Sequence, residues 1–330
     1  MKKKLLDIAK ALIFLALGVF LFWLVYRGQD VDRIKSVLKN NVNYSWIWLS
    51  LFLGLLSHIS RTLRWVILIK PLGKKPGFLN TFFSVMTGYL MNLALPRLGE
   101  VSRCGALSKY EKISMPKLLG TVVLERFVDV IMLLLLTLFV FVTQFDKMLL
   151  FLHHNPEVED KVVSVVTSPV LIGAVIFGIA ALIIFRKKYG HLPAAKKLND
   201  VLSSFGEGFR SFKSMDNKGA FVFHTFFIWA MYFLMSYVSF QSFEFTRDLP
   251  ILAGMTVFVL GSYGMVAPVQ GGIGAWHVMT IEGLALYGVA KSNGVIFAFL
   301  VHAAQTSMML VIGLISLWAL PFINRNRHRA

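Results

Sequence analysis

Three groups of charged residues stand inside or beside long apolar stretches, where charge is costly. Arg61 and Arg64, followed by Trp65, are three apart, so on a helix both guanidiniums share a face and together could fork onto a phosphate. Asn92, Arg97, Glu100 and Arg103 cluster around Pro96 and Gly99; a glutamate between two arginines can steady one guanidinium while the other meets a ligand anion. Glu125, Arg126 and Asp129 interrupt an otherwise apolar run. The i, i+4 spacing of the two acids puts both carboxylates on one helix face, within reach of Arg61, Arg97 or Arg103 from another segment. Uncompensated carboxylates in hydrocarbon are expensive, so Glu125 and Asp129 are expected to face the protein interior and pair with an arginine. Each group also has a plainer reading: Arg61 and Arg64 as a helix end, the second group as a surface loop, the third as a structural ion network.

Other chemistries find little support. No nucleotide-binding glycine loop, dinucleotide fingerprint or nucleophile elbow is present. His58, His224, His277 and His302 are isolated on apolar stretches, and His153 and His154 lack the spacing of a metal site. The lone cysteine, Cys104, excludes an internal disulfide framework. No metal and no cofactor are expected.

The elements that must position these residues are membrane helices. The chain has 330 residues, 56% hydrophobic, with a mean hydropathy of +0.67, more apolar than a soluble fold can bury. A span of the hydrocarbon core needs roughly 20 apolar residues. Stretches without Asp, Glu, Lys or Arg run over 11–26, 40–60, 78–96, 130–145, 162–185, 219–243, 249–276 and 292–324. Lys2, Lys3 and Lys4 before the first run resemble the start of a secretory signal, but no small-residue cleavage site follows Tyr26. The fold class expected is all-α: a polytopic helical bundle of about eight crossings plus re-entrant half-helices, forming a single transmembrane domain over 1–330 without a soluble catalytic domain. A net charge of +17 would suggest nucleic acid for a soluble chain. Here the basic residues sit in short loops, which points to cytoplasmic retention and anionic lipid instead.

Loop charge orients the bundle. Both ends are basic and are expected in the cytoplasm, as is the connection over 186–218 with eight Lys/Arg; the connection over 146–161, with four acids against two lysines, is expected outside. Five crossings before Arg186 would put the basic connection on the wrong side, so one run must fail to cross. The best candidate is Phe78 to Pro96, which carries Asn80, Thr81, Ser84, Thr87 and Asn92 and reads as a re-entrant half-helix. A matching interruption spans Ala267 to Gly274, with Pro268, Gln270, Gly271 and Gly272, and His277 just beyond. Paired broken segments point to an inverted-repeat transporter, with halves near 1–160 and 161–330 and the site at their interface; two ordinary Pro/Gly turns are the alternative.

The order Arg61-x-x-Arg64-Trp65, Gly88-x-x-x-Asn92-x-x-x-Pro96-Arg97-x-Gly99-Glu100-x-x-Arg103, Glu125-Arg126-x-x-Asp129 and Pro268-x-x-Gly271-Gly272-x-Gly274 resembles the membrane domain of bacterial lysylphosphatidylglycerol synthase/flippase proteins over nearly the whole chain. The resemblance implies a flippase-like helical domain of the bacterial inner membrane that moves a phospholipid or other lipid-phosphate headgroup between leaflets. Two departures stand out. Gln270 and Ala275-Trp276-His277 occupy a region where that family often has a second proline and a glutamate, with Glu282 further on, and the chain stops at Ala330. The soluble aminoacyl-transferase domain is thus expected to be absent, and aminoacylation of lipid is not expected of this chain. The candidate headgroup-binding residues are therefore Arg61, Arg64, Asn92, Arg97, Glu100, Arg103, Glu125, Arg126, Asp129, Gln270, Gly271, Gly272 and His277, with Arg97 and Arg103 expected to contact the headgroup directly. No nucleic acid is expected as a partner, and a homodimer is compatible with the pattern. A membrane transferase with Glu100, Glu125 or Asp129 as base, or an accessory membrane subunit, are the rival readings.

Overall fold

The computed structural model describes residues 30–154 and 215–325, with Phe20, Trp23 and residues 26–28 before them. Apart from the residues just named, the apolar run over 11–25 lies outside the described residues, as do the run over 162–185, the connections over 155–161 and 186–214, and the ends 1–10 and 326–330. Within them the chain is helical, and its one pairing of extended backbone is the isolated bridge between Val42 and Phe243.

After a short amphipathic helix α1 (Val31–Asn40), α2 (Tyr44–Ile69) starts where the Asn43 side chain accepts the Ser45 amide. It ends at Pro71 and the left-handed Gly73. Then come α3 (Phe78–Ala94), α4 (Leu98–Glu111), α5 (Met115–Thr143) and α6 (Phe145–His154). The second described stretch holds α7 (Lys218–Val238), α8 (Ile251–Val266), α9 (Ala275–Ala285) and α10 (Lys291–Ile323). Among the described residues, four helices are long and apolar enough to cross a membrane: α2, α5, α7 and α10, with short 3-10 turns extending α2 to Leu72 and α7 to Ser242. Leu134, Leu138 and Val142 of α5 and Val311, Trp318 and Phe322 of α10 are exposed apolar side chains, as expected of helices bathed in lipid. The chain is a multi-pass helical membrane protein.

Between the long helices lie two hairpins, each broken by a proline. Leu95 precedes Pro96 and Ala267 precedes Pro268, and both adopt the extended conformation that a following proline ring imposes. At 17 and 16 residues, α3 and α8 reach only about 25 Å at 1.5 Å per residue. Helix α4 folds back along α3: the Gly99 amide donates to Asn92 Oδ1 at 2.7 Å, and Glu111 at the far end accepts from the Gly77 amide at 3.1 Å. Gly88 and Gly99 allow the approach, since a Cβ on Gly88 would lie 2.9 Å from the Gly99 carbonyl oxygen. Helix α9 folds back along α8, with Gly264 against the backbone of Ala275 and Trp276 and Gly283 against Val257 and Leu260. The run over 78–96 thus forms one arm of a hairpin, with α4 returning along it.

The pattern long helix, broken hairpin, long helix therefore occurs twice, and the copies are inverted. Along the α2–α7 contact, Ser50 bonds the Met235 carbonyl, Ser60 meets His224, and Arg64 donates to Thr225. Rising numbers in α2 match falling numbers in α7, so the two run antiparallel and the hairpins that follow them enter from opposite faces. The hairpins exchange partners: α3 packs on α10, and α8 packs on α5. Their tips meet, because α3 touches the 3-10 turn Gln270–Gly272 and a Cβ on Gly271 would run into Leu93. One apolar core, around Trp65, Leu68, Leu107 and Leu118, lies toward the mouth of the first hairpin; another, around Ile47, Phe240, Phe243 and Phe297, lies toward the mouth of the second.

Candidate functional site

Helices α2, α4 and α5 bring their charges together in the interior. Arg61, Arg64, Arg103 and Glu125 are at most 3% exposed, and Asp129 is 9% exposed. Arg61 donates to Glu125 Oε1 and, at 3.0 Å, to Asp129 Oδ2. Arg64 Nη2 donates to Asp129 Oδ1 at 2.8 Å and lies 3.3 Å from Glu125 Oε1. Arg103 reaches Glu125 Oε2 at 3.0 Å and stacks over Trp65, whose indole N–H donates to Thr121. Helical spacing accounts for this: residues 61 and 64 share one face of α2, and 125 and 129 share the facing stripe of α5. Desolvating a carboxylate is tolerable because every oxygen of Glu125 and Asp129 meets a guanidinium.

Three guanidiniums against two carboxylates leave one positive charge over. Arg126 and Glu100 add a looser pair beside them, Arg126 Nε to Glu100 Oε1 at 3.5 Å, with side chains 43% and 26% exposed. Together with Tyr89, Asn92 and Arg103 these two residues line a narrow cleft at the bend of the first hairpin. Within the cluster, the Nε atoms of Arg61, Arg64, Arg103 and Arg126, and Glu100 Oε2, are buried without a hydrogen-bond partner. The arrangement can exchange one ionic partner for another at Arg126 and Glu100 far more readily than at Glu125.

Sequence reasoning expected Glu100 to hold an arginine of its own segment. It faces Arg126 of α5 instead, and Arg103 turns to Glu125. Arg61 Nη1 and Arg64 Nη2 are engaged by the two acids of α5, and Arg64 Nη1 by Thr225 of α7. Arg97 stays outside the network: it caps α4 in the left-handed region at φ 63°, is exposed at the bend, and makes no ion pair with any described residue.

At the bend of the second hairpin, Gln270, Gly272 and His277 are buried. Gly271, Gly272 and Gly274 have φ of 56°, 76° and 80°, a backbone that glycine adopts without strain. The Gly274 amide donates to His277 Nδ1, while His302 of α10 donates Nε2–H to the Gly271 carbonyl and lies 4.5 Å from His277, ring to ring. His302 stands isolated on its apolar stretch in the sequence; its role as a tie to the bend depends on how α10 packs against the second hairpin. Tyr89, Tyr232 and His58 were also not singled out as site residues. The two tyrosine hydroxyls are 3.4 Å apart, Arg61 lies over the Tyr232 ring at 5.8 Å, and His58 is 4.6 Å from Tyr89. Among the described residues no group of His, Cys, Asp and Glu could hold a metal ion.

A family model described as lysylphosphatidylglycerol synthase TM region matches residues 8–313. The UPF0104 membrane protein MJ1595 of Methanocaldococcus jannaschii is 33% identical over 138 residues, which is 41% of this chain and 41% of that protein. The chain thus matches less than half the length of this relative. No solved structure matches.

Proposed function

The chain belongs to the lysylphosphatidylglycerol synthase transmembrane-region family, and from that premise we propose that it is a flippase-like transporter moving an anionic or phosphate-bearing lipid between leaflets. The observation that carries the reading is the cationic surplus beside the bend of a hairpin whose tip meets that of an inverted counterpart. A headgroup loses hydration on entering the bilayer, and fixed guanidiniums together with the free backbone groups of broken helices replace that water. Arginine suits the task, since its planar fork matches a phosphate and is more weakly hydrated than an ammonium.

We place the chain in the cytoplasmic membrane of a bacterial cell, with the mouth of the first hairpin inward. Among the described residues, the rim made by 70–77, 109–117, 215–218 and 324–325 carries eight Lys/Arg against Glu111 and Asp216. The opposite rim, 30–41, 144–147, 244–248 and 282–291, carries six of each sign. Basic rims face the cytoplasm, which supports this orientation and both termini inside.

The test is a leaflet-resolved assay in proteoliposomes with fluorescent phosphatidylglycerol and a membrane-impermeant quencher. Wild-type protein should expose inner-leaflet label to the quencher well above protein-free vesicles, and Arg126→Ala should reduce the rate at least ten-fold. Quenching no faster than in protein-free vesicles would overturn the reading and favour a transferase or an accessory subunit.

A further inference from the structure

We propose that Glu100 sets the charge of the accepted headgroup, admitting lipid phosphates that carry one negative charge and rejecting those that carry two; this rests on the transporter reading above. The three acids of the site are not equivalent. Glu125 and Asp129 have both oxygens engaged by guanidiniums of α2 and α4. Among the described residues Glu100 pairs only with Arg126, through one oxygen at 3.5 Å, and its Oε2 is buried without a hydrogen-bond partner there. Arg126 is loosely held as well: its shortest ionic distances, to Glu100 and to Asp129, are both 3.5 Å.

A phosphate entering the cleft would take Glu100's place on Arg126, and Glu100 would remain beside it as a lining residue. The four guanidiniums of Arg61, Arg64, Arg103 and Arg126 then face Glu125, Asp129, Glu100 and the phosphate. A single negative charge brings this set to neutrality. A second would sit uncompensated next to Glu100, whose carboxylate repels it. The other titratable groups packed against the site are Tyr89 of α3, Cys104 of α4, Tyr232 and His224 of α7, and His58 of α2.

Phosphodiester and phosphomonoester lipids separate these cases, because a phosphodiester carries one charge at every working pH whereas a monoester acquires its second near a pKa of about 6. Proteoliposomes carrying fluorescent phosphatidylglycerol or fluorescent phosphatidic acid are compared at about pH 5 and about pH 8, either side of that ionisation. For wild type, the ratio of phosphatidic acid to phosphatidylglycerol transport should be near one at the lower pH and fall at least ten-fold at the higher. The diester serves as the control for any titration of the protein itself. Glu100→Gln raises the surplus by one charge and should restore phosphatidic acid transport at the higher pH. Because a ratio is read, the amount of folded variant cancels. A wild-type ratio that does not change with pH, or a Glu100→Gln ratio identical to wild type, overturns the proposal while leaving the transporter reading intact. Movement of neither lipid by wild type removes both.

Discussion

Asn80, near the start of α3, and Asn324, at the end of α10, exchange side-chain amide hydrogen bonds: Asn80 Nδ2 to Asn324 Oδ1 at 3.1 Å and Asn324 Nδ2 to Asn80 Oδ1 at 2.7 Å. Glu111 accepts a further bond from Asn80 at 2.6 Å, so the mouth of the first hairpin is tied to the last helix of the other half. The opposite face carries a counterpart, where Tyr287, beyond the end of α9, donates to Gln144 at the end of α5 at 2.9 Å. In a bundle built from inverted copies, these ties hold each hairpin to its neighbour at the membrane surface.

Asn324→Ala leaves the buried Asn80 carbonyl short of a donor, at a cost of about 1–3 kcal/mol, and loosens that mouth. With Cys104 replaced by alanine and a cysteine placed at Leu93, where α3 meets the second bend, labelling from the basic face should accelerate several-fold. Tyr287→Phe should accelerate it from the other face. Unchanged rates in both variants would show that these bonds do not control access.

Glu125 is the residue whose loss should harm the fold most. Removing its charge leaves Arg61, Arg64 and Arg103 facing only Asp129 in the interior, and breaking a buried pair costs about 3–5 kcal/mol. Glu125→Gln should lower the unfolding temperature in detergent far more than Glu100→Gln, whose site is partly exposed. Adding Arg103→Met to Glu125→Gln should recover part of the loss, since it removes one orphaned cation. A Glu125→Gln protein as stable as wild type would show that the network contributes little.

Arg97 tests headgroup contact apart from stability. It is exposed at the bend and outside the ion network, so Arg97→Lys should leave folding unchanged. The variant keeps the charge but loses the planar fork, and transport in proteoliposomes should fall about ten-fold, the effect of roughly 1.4 kcal/mol. Arg97→Ala should be at least as damaging. Wild-type transport by both folded variants would remove Arg97 from the path.

The orientation is open to a direct check at exposed Lys109 and Glu244, which lie on opposite rims. In the cysteine-free background, Lys109→Cys should react with an impermeant maleimide only from the cytoplasmic side and Glu244→Cys only from outside. Reversed labelling would invert the bundle, and labelling of both from one side would refute the antiparallel assembly.

Helical content, membrane character and the places where the chain must break were legible in the residue order, because each is a local property. A charge-free run long enough to cross, or a proline that forces the residue before it to extend, acts without regard to the rest of the chain. The burial of one face of 78–96 was legible too, since Asn80, Thr81, Ser84 and Thr87, all buried here, are too polar to face lipid.

Which charges met was not local. The i, i+4 spacing put Glu125 and Asp129 on one stripe, but whether that stripe would face Arg61, Arg97 or Arg103 depended on which helices packed against α5. Helix α2 came close enough to give both Arg61 and Arg64, Arg103 followed from the glycine-mediated fold-back of α4, and Arg97 was left on the exposed outside of the bend. The pairing of Asn80 with Asn324 across 244 positions likewise joined elements that sequence distance keeps apart, and the tie between His302 and Gly271 depended on how α10 packs on the bend. The sequence by itself determined the helices, their breaks and the amount of charge to be buried. Tertiary structure alone decided the partners, because a buried charge is stabilised only by groups within a few ångströms, and packing rather than spacing sets which groups those are.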